Sequence, residues 1–318
     1  MNASDQPVAC VVDCHAHVYD LARYPFDRTR GFDAAPNEVG SVEQFLCVLE
    51  AHGFTHALLA NPLGGYGTDN RCLLGALQKF KDRLKGVALV AHETEEGDFA
   101  RMSAAGIIGL RFNLNFPESP SLFGPGAERT LHIAREQGWF AQIHYEGDTI
   151  LDAMLPLKRS RLPLVIDHCG RPNLEQGVGQ TDFQALLELG REGAVIKLSS
   201  IFRFSREGFP YRDVDFYVAA LIDAFTIDRC VWGSDWPFLR ARHRVDYACL
   251  LQALRRWLPD AVDRRKILSD NPGRIFGFSK CFPSLLHHRS GNPDETDWSA
   301  LVDGAGARGR LHLRGSSR

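Results

Sequence analysis

The chain lacks any pair of cysteines at C-x-x-C spacing, and its eight cysteines are scattered singly. That excludes a small scaffold stapled by disulfides; the thiols are expected to be reduced and mostly buried, in a cytoplasmic protein. No apolar run approaches the length of a membrane span, and the first residues lack the charged-then-apolar plan of a signal peptide. Neither sign of charge prevails. A net charge of -2 gives no electrostatic case for nucleic acid or an anionic membrane as partner. No internal repeat stands out at solenoid periods. What the 318 residues do hold is an ordinary globular composition, 44% hydrophobic and 24% charged, enough for a full core.

The N-terminal stretch Ala9-Cys10-Val11-Val12-Asp13-Cys14-His15-Ala16-His17 opens as an apolar β-type run and closes on two histidines. Side chains two apart on a strand leave from one face, so His15 and His17 point the same way. Imidazoles placed so can converge on a metal ion, a water or a polar substrate group. An isolated His-x-His is equally compatible with two strand-end histidines that merely hydrogen-bond near the surface.

Seven further β-like runs follow, over 55–60, 86–91, 107–113, 139–144, 164–168, 195–199 and 230–235, interleaved with helix-like sequence. Ser41-Val42-Glu43-Gln44 has the form of a capping box opening one such helix. Eight strands alternating with helices is the plan of an α/β protein of the (β/α)8 TIM-barrel type. A doubly wound open sheet would carry a glycine fingerprint after its first strand, where this chain has His-x-His. Residues 1–280 are expected to form the barrel. Residues 281–318, polar and rich in Gly, Arg and Ser, are expected to be a loosely ordered tail.

Such barrels carry their chemistry at the C-terminal ends of the strands. Position alone then puts His15, His17, Arg111, His144, His168, Arg203 and Asp235 on one rim. Four of the chain's twelve histidines fall there, and scattered structural histidines would not concentrate in that way. Taken singly, His144 reads equally as a half-buried strand histidine, and Asp235 as a turn cap. Arg111, on an apolar strand, requires an anionic partner, for which a substrate carboxylate is a natural choice. Tyr66 and Arg240 are candidate specificity contacts from their rim position, and the backbone N–H groups of the Gly64–Thr68 loop, Thr68 included, are candidate helpers in substrate binding. His56 and His92 read as structural.

Three motifs together resemble the amidohydrolase superfamily, and within it the amidohydrolase 2 group: Asp13-Cys14-His15-Ala16-His17, Ile166-Asp167-His168-Cys169-Gly170-Arg171-Pro172 and Trp232-Gly233-Ser234-Asp235-Trp236-Pro237. Asn271-Pro272-Gly273-Arg274-Ile275-Phe276-Gly277 is similar to that group's C-terminal signature. Gly67-Thr68-Asp69-Asn70, Gly109-Leu110-Arg111-Phe112-Asn113 and Lys197-Leu198-Ser199 with Arg203 resemble the branch of 2-pyrone-4,6-dicarboxylate hydrolases and their lactonase relatives.

The resemblance implies a hydrolase that opens a small anionic lactone. Asp235 would be general base, His15, His17 and His168 would orient water and polarise the carbonyl, and Arg111 and Arg203 would bind carboxylate. The chain departs from that branch at Asn115-Phe116-Pro117, where those enzymes carry an arginine, at His144, where they carry tyrosine, and at Leu239-Arg240, where they carry asparagine. A related muconolactone-like substrate bearing one carboxylate or a sulfonate is therefore expected, from the degradation of an aromatic compound.

The resemblance also leaves a metal open. His15, His17, His144 and Asp235 are the set with which zinc-dependent decarboxylases and deaminases of the superfamily hold one ion, whereas the lactonase branch dispenses with it. No organic cofactor is expected. The alternatives are a zinc-dependent decarboxylase of an unsaturated carboxylic acid, a zinc hydrolase of an amide or ring imine, and a non-catalytic binding barrel.

Overall fold

The computed structural model describes residues 10–27 and 34–278. The expected tail, 281–318, lies outside them. Eight parallel strands run β1 (Val12–Ala16), β2 (His56–Ala60), β3 (Leu84–Ala88), β4 (Ile107–Asn113), β5 (Phe140–His144), β6 (Leu164–Ile166), β7 (Val195–Ser199) and β8 (Cys230–Gly233). Their spatial order is their sequence order. The ring closes between the last strand and the first: Asp235 N–H donates to His15 C=O and His17 N–H to Trp236 C=O, both at 2.8 Å. The residues that close the barrel are thus neighbours of the candidate site.

β1, β2, β5 and β7 are buried along their whole length. A parallel strand covered on both faces has no solvent side, which explains apolar runs rather than alternation. A helix follows each strand: 42–51, 71–79, 96–104, 125–136, 149–160, 181–191, 215–225 and 247–257. The first is capped as expected, Ser41 Oγ accepting from Gln44 N–H while Gln44 Oε1 accepts from Ser41 N–H. Two of these helices escape the periodicity. Glu96–Ala104 buries only Phe99 and Met102, and Thr149–Ser160 carries Pro156 internally.

The third strand begins two residues earlier and ends three residues earlier than its apolar run, 86–91, suggests. Ala57 N–H donates to Arg83 C=O, which pulls Leu84 and Lys85 into the ladder. At the other end the Asn70 amide takes both Leu89 N–H and Leu89 C=O, ending the strand. The sixth strand stops at Ile166 because His168 turns to φ +56°. Asn271 of the C-terminal signature donates to the carbonyls of Ile227 and Cys230, both at 2.8 Å, and so ties the last helix to the start of β8.

Gly233 ends β8 against β1. A Cβ there would lie 2.7 Å from both the backbone N and the Cβ of His15. Only glycine lets β8 approach β1 closely enough for Asp235 to reach the two histidines.

Candidate active site

The barrel's C-terminal mouth gathers the histidines and Asp235. His15 Nε2 lies 3.4 Å from His17 Nε2 and 3.8 Å from Asp235 Oδ1, and His17 Nε2 lies 3.7 Å from the same oxygen. The His168 ring centroid is 4.5 Å from that of His15. His168 and Asp235 both have left-handed backbone, φ +56° and +62°, and each such residue costs about 1–3 kcal/mol that the surrounding packing must offset. In both the turn falls just past a strand end and places the side chain over the mouth. Ser200 Oγ, 2.7 Å from His168 Nδ1, and Ser199 Oγ, 3.0 Å away, hold that ring.

Asp235 is buried, and its two oxygens differ. Oδ2 accepts from Arg203 Nε at 2.6 Å, whereas Oδ1 has no hydrogen-bond partner among the described residues. Burial works to raise this carboxyl, but Arg203 and then the His168, His15 and His17 imidazoles together hold it well below the usual carboxylate range. Burial depresses His15 to about 4 and His17 to about 3, so both are neutral at physiological pH. His17 Nδ1 lies 2.7 Å from Ala60 C=O, which can only accept, so Nδ1 holds the proton and Nε2 presents a lone pair.

Beneath the mouth is a sealed polar layer in which Asp167, Gln142 and Lys197 carried no assigned role in the sequence. Asp167 Oδ2 accepts from Arg111 Nε at 3.1 Å and from Gln142 Nε2 at 3.0 Å. Lys197, fully buried, donates to Gln142 Oε1 at 2.6 Å, with its Nζ 3.1 Å from His15 Nδ1 and 3.4 Å from Asp167 Oδ1. Burial opposes ionisation of Asp167, but His15, Lys197 and Arg111 keep it charged and its carboxyl well below the usual range. Burial lowers the Lys197 ammonium. An inward lysine in Val195-Ile196-Lys197 was the available signal, since a buried cation needs a partner. Which partner it finds depends on the neighbouring strands.

The anionic partner expected for Arg111 is thus supplied first by the protein. Its Nη groups make no hydrogen bond among the described residues, and Arg111 is one of the residues that line the cavity. Arg203 is likewise committed through Nε to Asp235, and its Nη1 donates to Leu239 C=O at 2.8 Å.

The cavity above this layer has a volume of about 420 Å³, within the range of small-molecule sites. His17, His144, His168 and Asp235 line it, with Arg111, Arg171, Arg203, Arg240 and Arg242. Among the described residues Asp235 and Glu146 are the only carboxylates in the lining, so cations there outnumber anions five to two. Arg171, Arg242 and Glu146 had no assigned part in the sequence. Arg171 donates to Glu146, and Arg242 is exposed at the rim.

Two expected contacts are corrected. Tyr66 does not line the cavity: it packs with Tyr19 and Phe26, donates from its hydroxyl to Tyr24 C=O at 2.9 Å and accepts from Asp20 N–H. Thr68 is also absent from the lining, and its carbonyl accepts from Asn70. Gly64 is the member of that loop that reaches the cavity.

The donor atoms of the mouth come near the geometry that a divalent ion needs. A tetrahedral zinc site with bonds of about 2.0–2.1 Å separates its ligand atoms by roughly 3.3 Å. His15 Nε2, His17 Nε2 and Asp235 Oδ1, spaced 3.4–3.8 Å, come close to that, and Asp235 Oδ1 is unpartnered. His15, His168 and Asp235 also offer ligand atoms within 4.8 Å of one another. The residues fit one ion, with His168 rather than His144 beside the set. His144 instead meets Phe116, the His168 ring and Arg171, whose Nη1 is 3.4 Å from Nε2. A guanidinium at that nitrogen competes with a metal for its lone pair.

The amidohydrolase family model matches residues 12–278. A 4-sulfomuconolactone hydrolase of Rhizobium radiobacter is 30% identical over 276 residues, covering 83% of this chain and 89% of that protein. A 2-pyrone-4,6-dicarboxylate hydrolase of Comamonas testosteroni is 27% identical over 282 residues, covering 84% and 90%. Among solved structures, one described as a candidate 2-pyrone-4,6-dicarboxylic acid hydrolase from Pseudomonas putida superposes with a TM-score of 0.76 at 33% identity, covering 85% of this chain and 98% of that one.

Proposed function

The chain belongs to the amidohydrolase family, and from that premise we propose that it opens a small lactone bearing two anionic groups by attack of water, with Asp235 as general base. The observation that carries this is the asymmetry of Asp235. One oxygen is fixed by Arg203, the other has no hydrogen bond among the described residues, and Asp235 lines a cavity together with five arginines.

A water hydrogen-bonded to Asp235 Oδ1, beside His15 and His17, has one proton engaged and its oxygen free to attack. One proton passes to Asp235 as the water oxygen bonds to the lactone carbonyl carbon. The ring C–O bond then breaks, and the departing oxygen recovers that proton, giving a hydroxy acid. His168, held by Ser199 and Ser200, stands over the same point to polarise the carbonyl. The Nη groups of Arg111 bind one anionic group of the substrate. Arg171, Arg240 and Arg242 take the place of the arginine missing after β4 and receive a second, carboxylate or sulfonate. That charge excess agrees with the substrates named for the two relatives.

If one divalent ion is bound, His15, His17 and Asp235 would hold it, and it would supply Lewis acidity and a more acidic water. The decarboxylase alternative needs His144 in that set, and the geometry gives it no support. Degradation of an aromatic compound is the metabolic setting this reading favours.

The test is a panel of lactones carrying two, one or no anionic groups, followed by ring-opening. Hydrolysis of the doubly anionic members at a kcat/KM at least about 100-fold above that of the uncharged analogue is expected, two charge contacts being worth roughly that. Release of CO2 from an unsaturated acid with no ring-opening would overturn it.

A further inference from the structure

His15 Nδ1 stands between two groups that ask opposite things of it. Asp167 Oδ1, 3.2 Å away, would accept a proton from Nδ1; Lys197 Nζ, 3.1 Å away, would donate one to it. The Gln142 amide orients the choice. Its Nε2 donates to Asp167 Oδ2 and its Oε1 therefore faces Lys197, so Lys197 enters the layer as a donor. An ammonium has no lone pair to offer. Asp167 Oδ1, although buried, forms no hydrogen bond among the described residues.

We infer that Lys197 is a positioning residue that holds His15 in the tautomer protonated on Nε2, and thereby opposes metal binding at this site. A second contact, on the far side of the ring, points the same way. His17 keeps its proton on Nδ1 for Ala60 C=O, so its Nε2 is bare. With His15 also bare at Nε2, two lone pairs would oppose one another across 3.4 Å; with a proton there, His15 donates to His17.

A metal at His15 Nε2 requires that proton to move to Nδ1, which breaks the Lys197 contact. Removing the Lys197 amine frees Nδ1–H to turn to Asp167 Oδ1, the carboxylate–histidine arrangement that supports metal ligands. The inference concerns ligand chemistry and stands apart from the lactone reading, since both of its readouts work without substrate.

The experiment is a long-range 1H–15N correlation spectrum of chelator-treated protein labelled with 15N-histidine, with His15 assigned through His15→Gln. The expected result is a protonated Nε2 and a bare Nδ1 at His15, with the reverse at His17 as internal reference. A proton on His15 Nδ1, or a zinc that resists chelation, would overturn the inference. The second arm is Lys197→Met, with zinc affinity measured by chelator competition. The variant is expected to bind zinc at least tenfold more tightly than the parent. Equal or weaker binding in a variant with native circular dichroism overturns it, and if the variant does not fold the parent spectrum decides alone.

Discussion

Arg203 Nε and Asp235 Oδ2 lie 2.6 Å apart, which leaves Oδ1 as the one oxygen of that carboxylate without a hydrogen bond among the described residues. A carboxylate gripped on one side is oriented without being neutralised by a proton, and general-base work requires this. Asp235→Asn keeps the shape and removes the base. The expected loss in kcat is about 10²–10⁴-fold with an unchanged circular dichroism spectrum; near-normal turnover would remove Asp235 from the chemistry.

Arg111 divides its guanidinium between Asp167 and the cavity. Arg111→Met should raise KM for an anionic lactone by about tenfold or more, and for an uncharged lactone by much less. Steady-state kinetics on the pair of substrates measure it. Equal effects on both would mean that Arg111 serves only the layer beneath the site.

Tyr66 spends its hydroxyl on Tyr24 and Asp20, away from the cavity. Tyr66→Phe is therefore expected to leave kcat and KM within about twofold and to lower stability by about 1 kcal/mol, one hydrogen bond's net worth. Urea denaturation alongside kinetics checks both. A large rise in KM would return Tyr66 to the substrate contacts.

His56, far from the mouth, sits at the start of β2 with Nε2 3.0 Å from Asp82 C=O, and burial depresses it to about 4. In the unfolded chain a histidine titrates near 6.5. Between those values the unfolded state takes up a proton that the folded state refuses, so stability falls as pH drops from about 6.5 to about 4. His56→Gln should flatten that slope by an amount on the order of 1–3 kcal/mol in urea titrations at pH 7 and pH 4.5. An unchanged slope would show that His56 titrates normally.

The rim was legible because strand-end position is a local property. His15, His17, Arg111, His144, His168, Arg203 and Asp235 lie at or just past the C-terminal ends of their strands, or in the loop that follows, and a barrel brings such ends together. Tyr66 misled because a loop residue's direction is not periodic: the turn after Pro62 folds the ring outward onto Phe26 and Tyr19. The third strand's register misled because a side chain far off in sequence, Asn70, ends its ladder.

Sequence alone determined the alternation of strands and helices, the paired direction of His15 and His17, and the presence of an inward cation at Arg111. These follow from residue periodicity and from hydrophobic patterning over a few positions. Only the tertiary structure decided which charge each cation meets. Arg111 finds Asp167 across 56 residues and Lys197 finds His15 across 182, because the barrel's circumference makes neighbours of β4, β6, β7 and β1 in its interior. Buried charges are ordered by distance in space, where the desolvation penalty is met by whichever partner lies within reach, and distance along the chain does not record that.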